Sequence, residues 1–157
     1  MNLYFLRHGR ADRSAWDGPD ALRPLTPEGK KRMRQEAATM AGMRLQIDRI
    51  LSSPLLRARQ TAEIIAQGLD LEHALELDAR LASGFNRSAL RAILHEQQGI
   101  RGCMLVGHEP DFSTTIEDLI GGGSVVVKKG ALARVDVDAG TMLGELIWLI
   151  PAKVLIL

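Results

Sequence analysis

A chain of 157 residues, 46% apolar and 25% charged, has the make-up of one soluble globular domain large enough to bury a real core. Its net charge of +1 gives no bulk electrostatic case for binding nucleic acid or a membrane. The single cysteine, Cys103, excludes an intrachain disulfide framework and reads as a buried thiol; no signal-peptide pattern opens the chain, and no apolar stretch nears the ~20 residues that span a bilayer, so a cytoplasmic protein is expected.

Leu3-Tyr4-Phe5-Leu6 is too short for a core helix and rich in strand formers, which predicts a buried strand. It ends in Arg7-His8-Gly9: a cation, a titratable nitrogen nucleophile and a residue that lets backbone approach a ligand. Open α/β sheets bind ligands beyond the carboxyl ends of their strands, so this tripeptide points to an anion site that contains a nucleophile. The polar loop that follows, with Asp12, Asp17, Gly18, Pro19 and Asp20, is long for a plain connection and reads as functional. Thr26 as N-cap, Pro27 in the first turn and Glu28 near the positive helix end predict a helix to about Met43, with Met33, Ala37 and Met40 inward. Lys30, Lys31, Arg32 and Arg34 form its solvated face; the alternative is a docking patch for an acidic partner.

Ile50-Leu51 predicts a second strand. Ser53 as cap and Pro54 at the first position predict a helix whose core stripe is Leu55, Ala58, Ala62, Ile65 and Leu69. Arg57 lies off that stripe in the first turn, where helix dipole, backbone N–H groups and guanidinium would converge on a phosphate; Arg59 reads as a solvated surface residue. Leu75-Glu76-Leu77 predicts a third strand, Leu81 to Asn86 a loop, and Leu90, Ile93 and Leu94 the buried face of a helix that stops near Gly99. Cys103 to Gly107 is apolar throughout, as buried parallel strands are, and runs into His108-Glu109-Pro110. A helix with Phe112, Ile116, Leu119 and Ile120 inward then stops at Gly121-Gly122-Gly123. The sequence leaves open whether Lys128 and Lys129, after the Val125-Val126-Val127 run, do more than solvate a strand end. Leu132 to Val137 and Glu145 to Ile150 read as an edge hairpin, and Val154-Leu155-Ile156-Leu157 as a tail packed on the core.

This alternation predicts an α/β three-layer sandwich: a mostly parallel central sheet, helices on both faces and an antiparallel edge hairpin. Arg7 and His8 follow the first strand, Arg57 the second and His108 the fourth, so two Arg and two His meet at one sheet end as a pocket for a dianion. One imidazole can attack phosphorus while the other groups neutralise the oxygens. His73 and His95 fall at surface positions. No Cys, His or carboxylate spacing suggests a metal site.

Arg7-His8-Gly9, the segment Ser53 to Ala62 and Gly107-His108-Glu109-Pro110 resemble the three motifs of the histidine phosphatase superfamily. Arg23-Pro24-Leu25-Thr26 and the short length make the chain similar to its SixA-type phosphohistidine phosphatases, over Leu3 to about Leu119 with a looser match in the hairpin. The resemblance implies a phosphoglycerate mutase-like fold, a single domain over 1–157 and no cofactor or metal. It implies that His8 is the nucleophile, that Arg7, Gly9, Arg57 and His108 form the phosphate pocket, and that His108 also stabilises the transferring phosphoryl group.

Larger relatives such as the phosphoglycerate mutases carry a carboxylic acid in the loop after the third strand to protonate a leaving alkoxide. Residues 82–86 hold no Asp or Glu, which leaves Glu109 and, more weakly, Asp12 as candidate acids. The imidazole of a phosphohistidine needs no such acid, because solvent can protonate it beforehand. The expected function is therefore removal of phosphate from a histidine-phosphorylated protein, such as a phosphotransfer domain, by a monomeric cytoplasmic enzyme. The alternatives are a small-molecule phosphomonoester phosphatase using Glu109 or Asp12, and a non-catalytic phospho-binding module.

Overall fold

The computed structural model describes residues 1–156. Six strands form one sheet in the order β3-β2-β4-β1-β5-β6. They are β1 (Asn2–Arg7), β2 (Arg49–Ser52), β3 (Leu75–Leu77), β4 (Gly102–Gly107), β5 (Leu132–Asp138) and β6 (Leu143–Ile150). The first four are mutually parallel; β5 runs antiparallel to β1 and β6 antiparallel to β5. The hairpin thus sits at one edge of a mostly parallel sheet, as the sequence predicts.

Alternation along β1 divides the core. Leu3 and Phe5 face a layer built by α3 (Arg87–Glu96) and α4 (Asp111–Ile120), with Phe112 edge-on to Phe5 at 5.2 Å. Tyr4 and Leu6 face α1 (Pro27–Met43), α2 (Leu56–Gly68) and the short α5 (Ala152–Leu155). Helices on both faces explain why β4 is buried at every position. The N-cap of α1 is as predicted, with Gly29 N–H donating to Thr26 Oγ1 at 2.9 Å. Leu155 packs into the core while Val154 stays exposed; Leu157 of the predicted tail lies outside the described residues. Among the described residues no helix is long and apolar enough to cross a membrane.

Three local expectations need correction. The second helix begins at Leu56, so Pro54 is not its first residue. Ser53 turns away from helix capping because its hydroxyl meets His108, although it still accepts from Leu55 N–H at 3.2 Å. Val125-Val126-Val127 forms no strand; its backbone is held by side chains, Glu117 taking Val125 N–H and Arg7 taking the Val127 carbonyl. The third helix ends at Glu96, and residues 97–99 are a turn closed by Gly99 at φ +89°.

Candidate active site

β1, β2 and β4 end side by side, and their ends define a cavity of about 470 Å³ lined by Arg7, His8, Arg23, Arg57, His108 and Glu109 among others. The four groups predicted to converge do so. The His8 and His108 rings stand 5.2 Å apart between centroids, tilted by 54°. His8 N–H donates to Gly107 O at 3.1 Å, which ties the first strand end to the fourth. Gly107 itself leaves room for the α4 layer: a Cβ there would lie 2.8 Å from the Phe112 ring.

The hydrogen bond of the His8 ring selects its tautomer. His8 Nδ1 lies 2.7 Å from Gly9 O, an acceptor only, so Nδ1 carries the proton and Nε2 keeps its lone pair. Burial, opposed by the Gly9 carbonyl and reinforced by His108, Arg57 and Arg7, pulls the ring down to about 3. It is therefore neutral and nucleophilic at physiological pH. His108 Nε2 lies 2.7 Å from Ser53 Oγ. Ser53 Oγ also accepts from Leu55 N–H, and His108 Nδ1 has no partner among the described residues. Burial, and then Arg57, brings His108 down to about 4.

Both arginines are anchored by backbone carbonyls. Arg7 donates to Val127 O at 3.0 Å; Arg57 donates to Asp20 O at 3.0 Å and to Asp20 Oδ2 at 3.2 Å. Each retains an Nε–H without a partner among the described residues. Burial lowers the pKa of both guanidiniums; Glu109 opposes the shift at Arg7 and Asp20 at Arg57. Two desolvated cations beside two neutral imidazoles make a site suited to an anion.

The histidine phosphatase superfamily (branch 1) profile matches residues 3–83. The phosphohistidine phosphatase SixA of Escherichia coli (strain K12) is 30% identical over 143 residues, covering 88% of this chain and 86% of that protein. An uncharacterized protein of Picosynechococcus sp. (strain ATCC 27264 / PCC 7002 / PR-6) is 39% identical over 119 residues, 74% of this chain and 72% of its own. The solved structure of the protein histidine phosphatase SixA complexed with tungstate superposes with a TM-score of 0.89 at 27% identity, covering 99% of both chains. The chain belongs to the histidine phosphatase superfamily.

The carboxylates around the cavity are engaged by neighbouring groups. Glu109 accepts from Ser113 N–H at 2.8 Å and from Ser113 Oγ–H at 2.6 Å, capping the first turn of α4. Asp12 accepts from Arg10 Nε–H at 3.1 Å and NH2 at 3.2 Å. Asp111 accepts from Gly84 and Phe85 N–H at 2.9 and 3.1 Å, and Asp78 from Arg80 N–H at 2.9 Å, so both carboxylates holding the loop after β3 are engaged by its backbone. Among the described residues no group of three or more His, Cys, Asp or Glu could hold a metal ion.

Several residues of this superfamily pocket escape the sequence reading. Asp20 and Arg23 belong to it: Arg23 lines the cavity, pairs with Asp20 and donates to Ala11 O. Thr61, one turn beyond Arg57, accepts from Gly9 N–H at 3.1 Å and donates to Arg57 O at 2.8 Å, linking two motifs through one hydroxyl. The i, i+4 spacing from Arg57 is the signal that could have found it. Lys129 lines the cavity instead of solvating a strand end. His73 and His95 are exposed and remote, as predicted.

Proposed function

We propose that this chain is a phosphohistidine phosphatase that removes phosphate from a histidine-phosphorylated protein through a covalent intermediate on His8. The observation that carries the choice is the engagement of all three carboxylates at the pocket, Glu109 by Ser113, Asp12 by Arg10 and Asp20 by Arg23 and Arg57. With no carboxyl free to protonate a leaving alkoxide, the leaving group that suits the site arrives already protonated. The imidazole of a phosphohistidine meets that requirement. The 30% identity with the E. coli phosphohistidine phosphatase SixA supports the same reading.

In this mechanism the phosphoryl oxygens sit between Arg7 and Arg57, with the His108 ring beside them. The His8 Nε2 lone pair attacks phosphorus, and the substrate N–P bond breaks as its ring leaves neutral, retaining the proton on its other nitrogen. Gly9 O holds the His8 Nδ1–H and disperses the positive charge that develops on the ring. Water then attacks the phosphorylated His8, the new P–N bond breaks, and Nε2 regains its lone pair as phosphate departs with the water's oxygen. Residues 1–157 are taken as one domain acting as a cytoplasmic monomer without cofactor.

The test is paired hydrolysis of a phosphohistidine-bearing phosphotransfer domain and a panel of alkyl phosphates. Fast release from the first with little from the second supports the reading. Efficient alkyl phosphate hydrolysis would assign the chain to small-molecule phosphomonoesters, and no turnover of either would leave a phospho-binding module.

A further inference from the structure

The two phosphate arginines do more than face the cavity, because each anchors a surface segment through its carbonyl. Arg57 holds Asp20, which opens the single turn Asp20–Leu22. Arg7 holds Val127 in the irregular segment before β5. Each anchored segment presents a large apolar side chain to solvent: Leu22, two residues after Asp20, is 55% exposed, and Val126, one residue before Val127, is 64% exposed. Two of the cavity's cations, Arg23 and Arg57, are matched within the protein by Asp20. Arg13 and Lys129 also line the cavity and are exposed, and neither forms an ion pair among the described residues.

A phosphate group alone would use neither feature. It fills the space between Arg7, Arg57 and the imidazoles, and has nothing to lay against Leu22 or Val126. A free phosphoamino acid is likewise too small to cover two apolar side chains on separate segments. A folded protein surface that projects a phosphohistidine would cover both as the ring enters the cavity, and carboxylates around that histidine would meet Arg13 and Lys129.

We propose that Leu22, Val126, Arg13 and Lys129 form a docking rim for a protein whose phosphohistidine is surrounded by apolar side chains and carboxylates. The inference rests on the function proposed above and adds the residues that separate protein-borne from free phosphohistidine. Because Arg57 and Arg7 hold the two rim segments, seating the partner on the rim also braces the guanidiniums that grip the phosphoryl group.

The experiment compares steady-state hydrolysis of free phosphohistidine and of a phosphohistidine-bearing phosphotransfer domain, for the parent chain, Leu22→Ser, Val126→Ser and the double variant. In the double variant KM for the protein substrate should rise about tenfold, while kcat/KM for free phosphohistidine stays at the parent value and reports an intact fold. Raising salt should increase KM for the protein substrate more steeply than for the free amino acid. Equal losses on both substrates, or no change on either, would overturn the docking rim. A parent chain that releases phosphate from neither substrate would instead overturn the function proposed above.

Discussion

The phosphate cavity and the interior around Glu36 share the Lys129-Gly130 turn, and they bury ionisable groups by different means. In the cavity, Arg7 and Arg57 are held by the Val127 and Asp20 carbonyls and line space that an anion can enter. Behind the turn, Glu36 of α1 is 0% exposed and neither carboxyl oxygen has a partner among the described residues. Its Oε1 would lie 2.7 Å from a Cβ at Gly130, so that position admits only glycine, which also takes the required φ of +73°. Desolvation without a partner pushes Glu36 up to about 9, and it is buried as a neutral acid. A buried charge is kept where a counter-ion is due to arrive, and is discharged where none can.

The comparison has consequences of graded size. Replacing His8 removes the proposed nucleophile and leaves the arginines. His8→Ala should therefore abolish turnover of protein phosphohistidine while calorimetry still detects vanadate binding; turnover at the parent rate would sink the nucleophile assignment. Arg57→Ala should weaken vanadate binding by about 1.5–3 kcal/mol, the worth of a charge-assisted hydrogen bond, and binding within twofold of the parent would show that Arg57 does not contact the oxyanion.

Third in size is a pH effect in which the two regions act with opposite sign. His8 and His108 fall to about 3 and 4, below the ordinary 6.5. Their contribution to stability is present above pH 6.5 and is lost as acid protonates the unfolded chain first. Glu36 is raised from 4.5 to about 9, so the folded chain keeps a proton that the unfolded chain has released, and stability falls as pH rises through that window. Denaturant titrations between pH 7 and 8.5 should show parent stability dropping by about 1.4 kcal/mol per pH unit relative to Glu36→Gln. Parallel curves for the two proteins would mean that Glu36 is ionised in the folded state. The smallest effect is expected at Glu109. Glu109→Gln should change turnover of phosphohistidine by no more than about twofold and cost about 1 kcal/mol of stability through the weakened α4 cap. A hundredfold loss of turnover, roughly 2.7 kcal/mol, would make Glu109 the acid that its bonds to Ser113 argue against.

The sequence is most informative where a local pattern sets both an element and its end. β1 and β4 are continuous apolar runs, and the polar residues that terminate them must lie at the sheet's edge, which places Arg7, His8 and His108. Arg57 is legible because helix phase keeps it off the Ala58-Ala62-Ile65 stripe. Ser53 shows the opposite case. Its place before Pro54 reads as a cap, yet its hydroxyl is taken by His108, 55 residues away. Glu36 lies three residues from Met33 and four from Met40, on the buried stripe, but spacing does not show what faces it.

What the sequence determined alone was therefore the alternation of strands and helices, the residues at three strand ends and the lack of Asp or Glu at residues 82–86. These follow from side-chain periodicity and capping, which act within a few residues. What only the tertiary structure decided was how each of those residues is held: Asp20 against Arg57, Val127 against Arg7, Thr61 between Gly9 and Arg57, Glu109 turned to Ser113. Most of these bonds join segments tens of residues apart, and even the Glu109–Ser113 cap depends on which way the chain leaves β4. Their partners are selected by packing, which removes water and obliges each buried donor and acceptor to find what lies opposite.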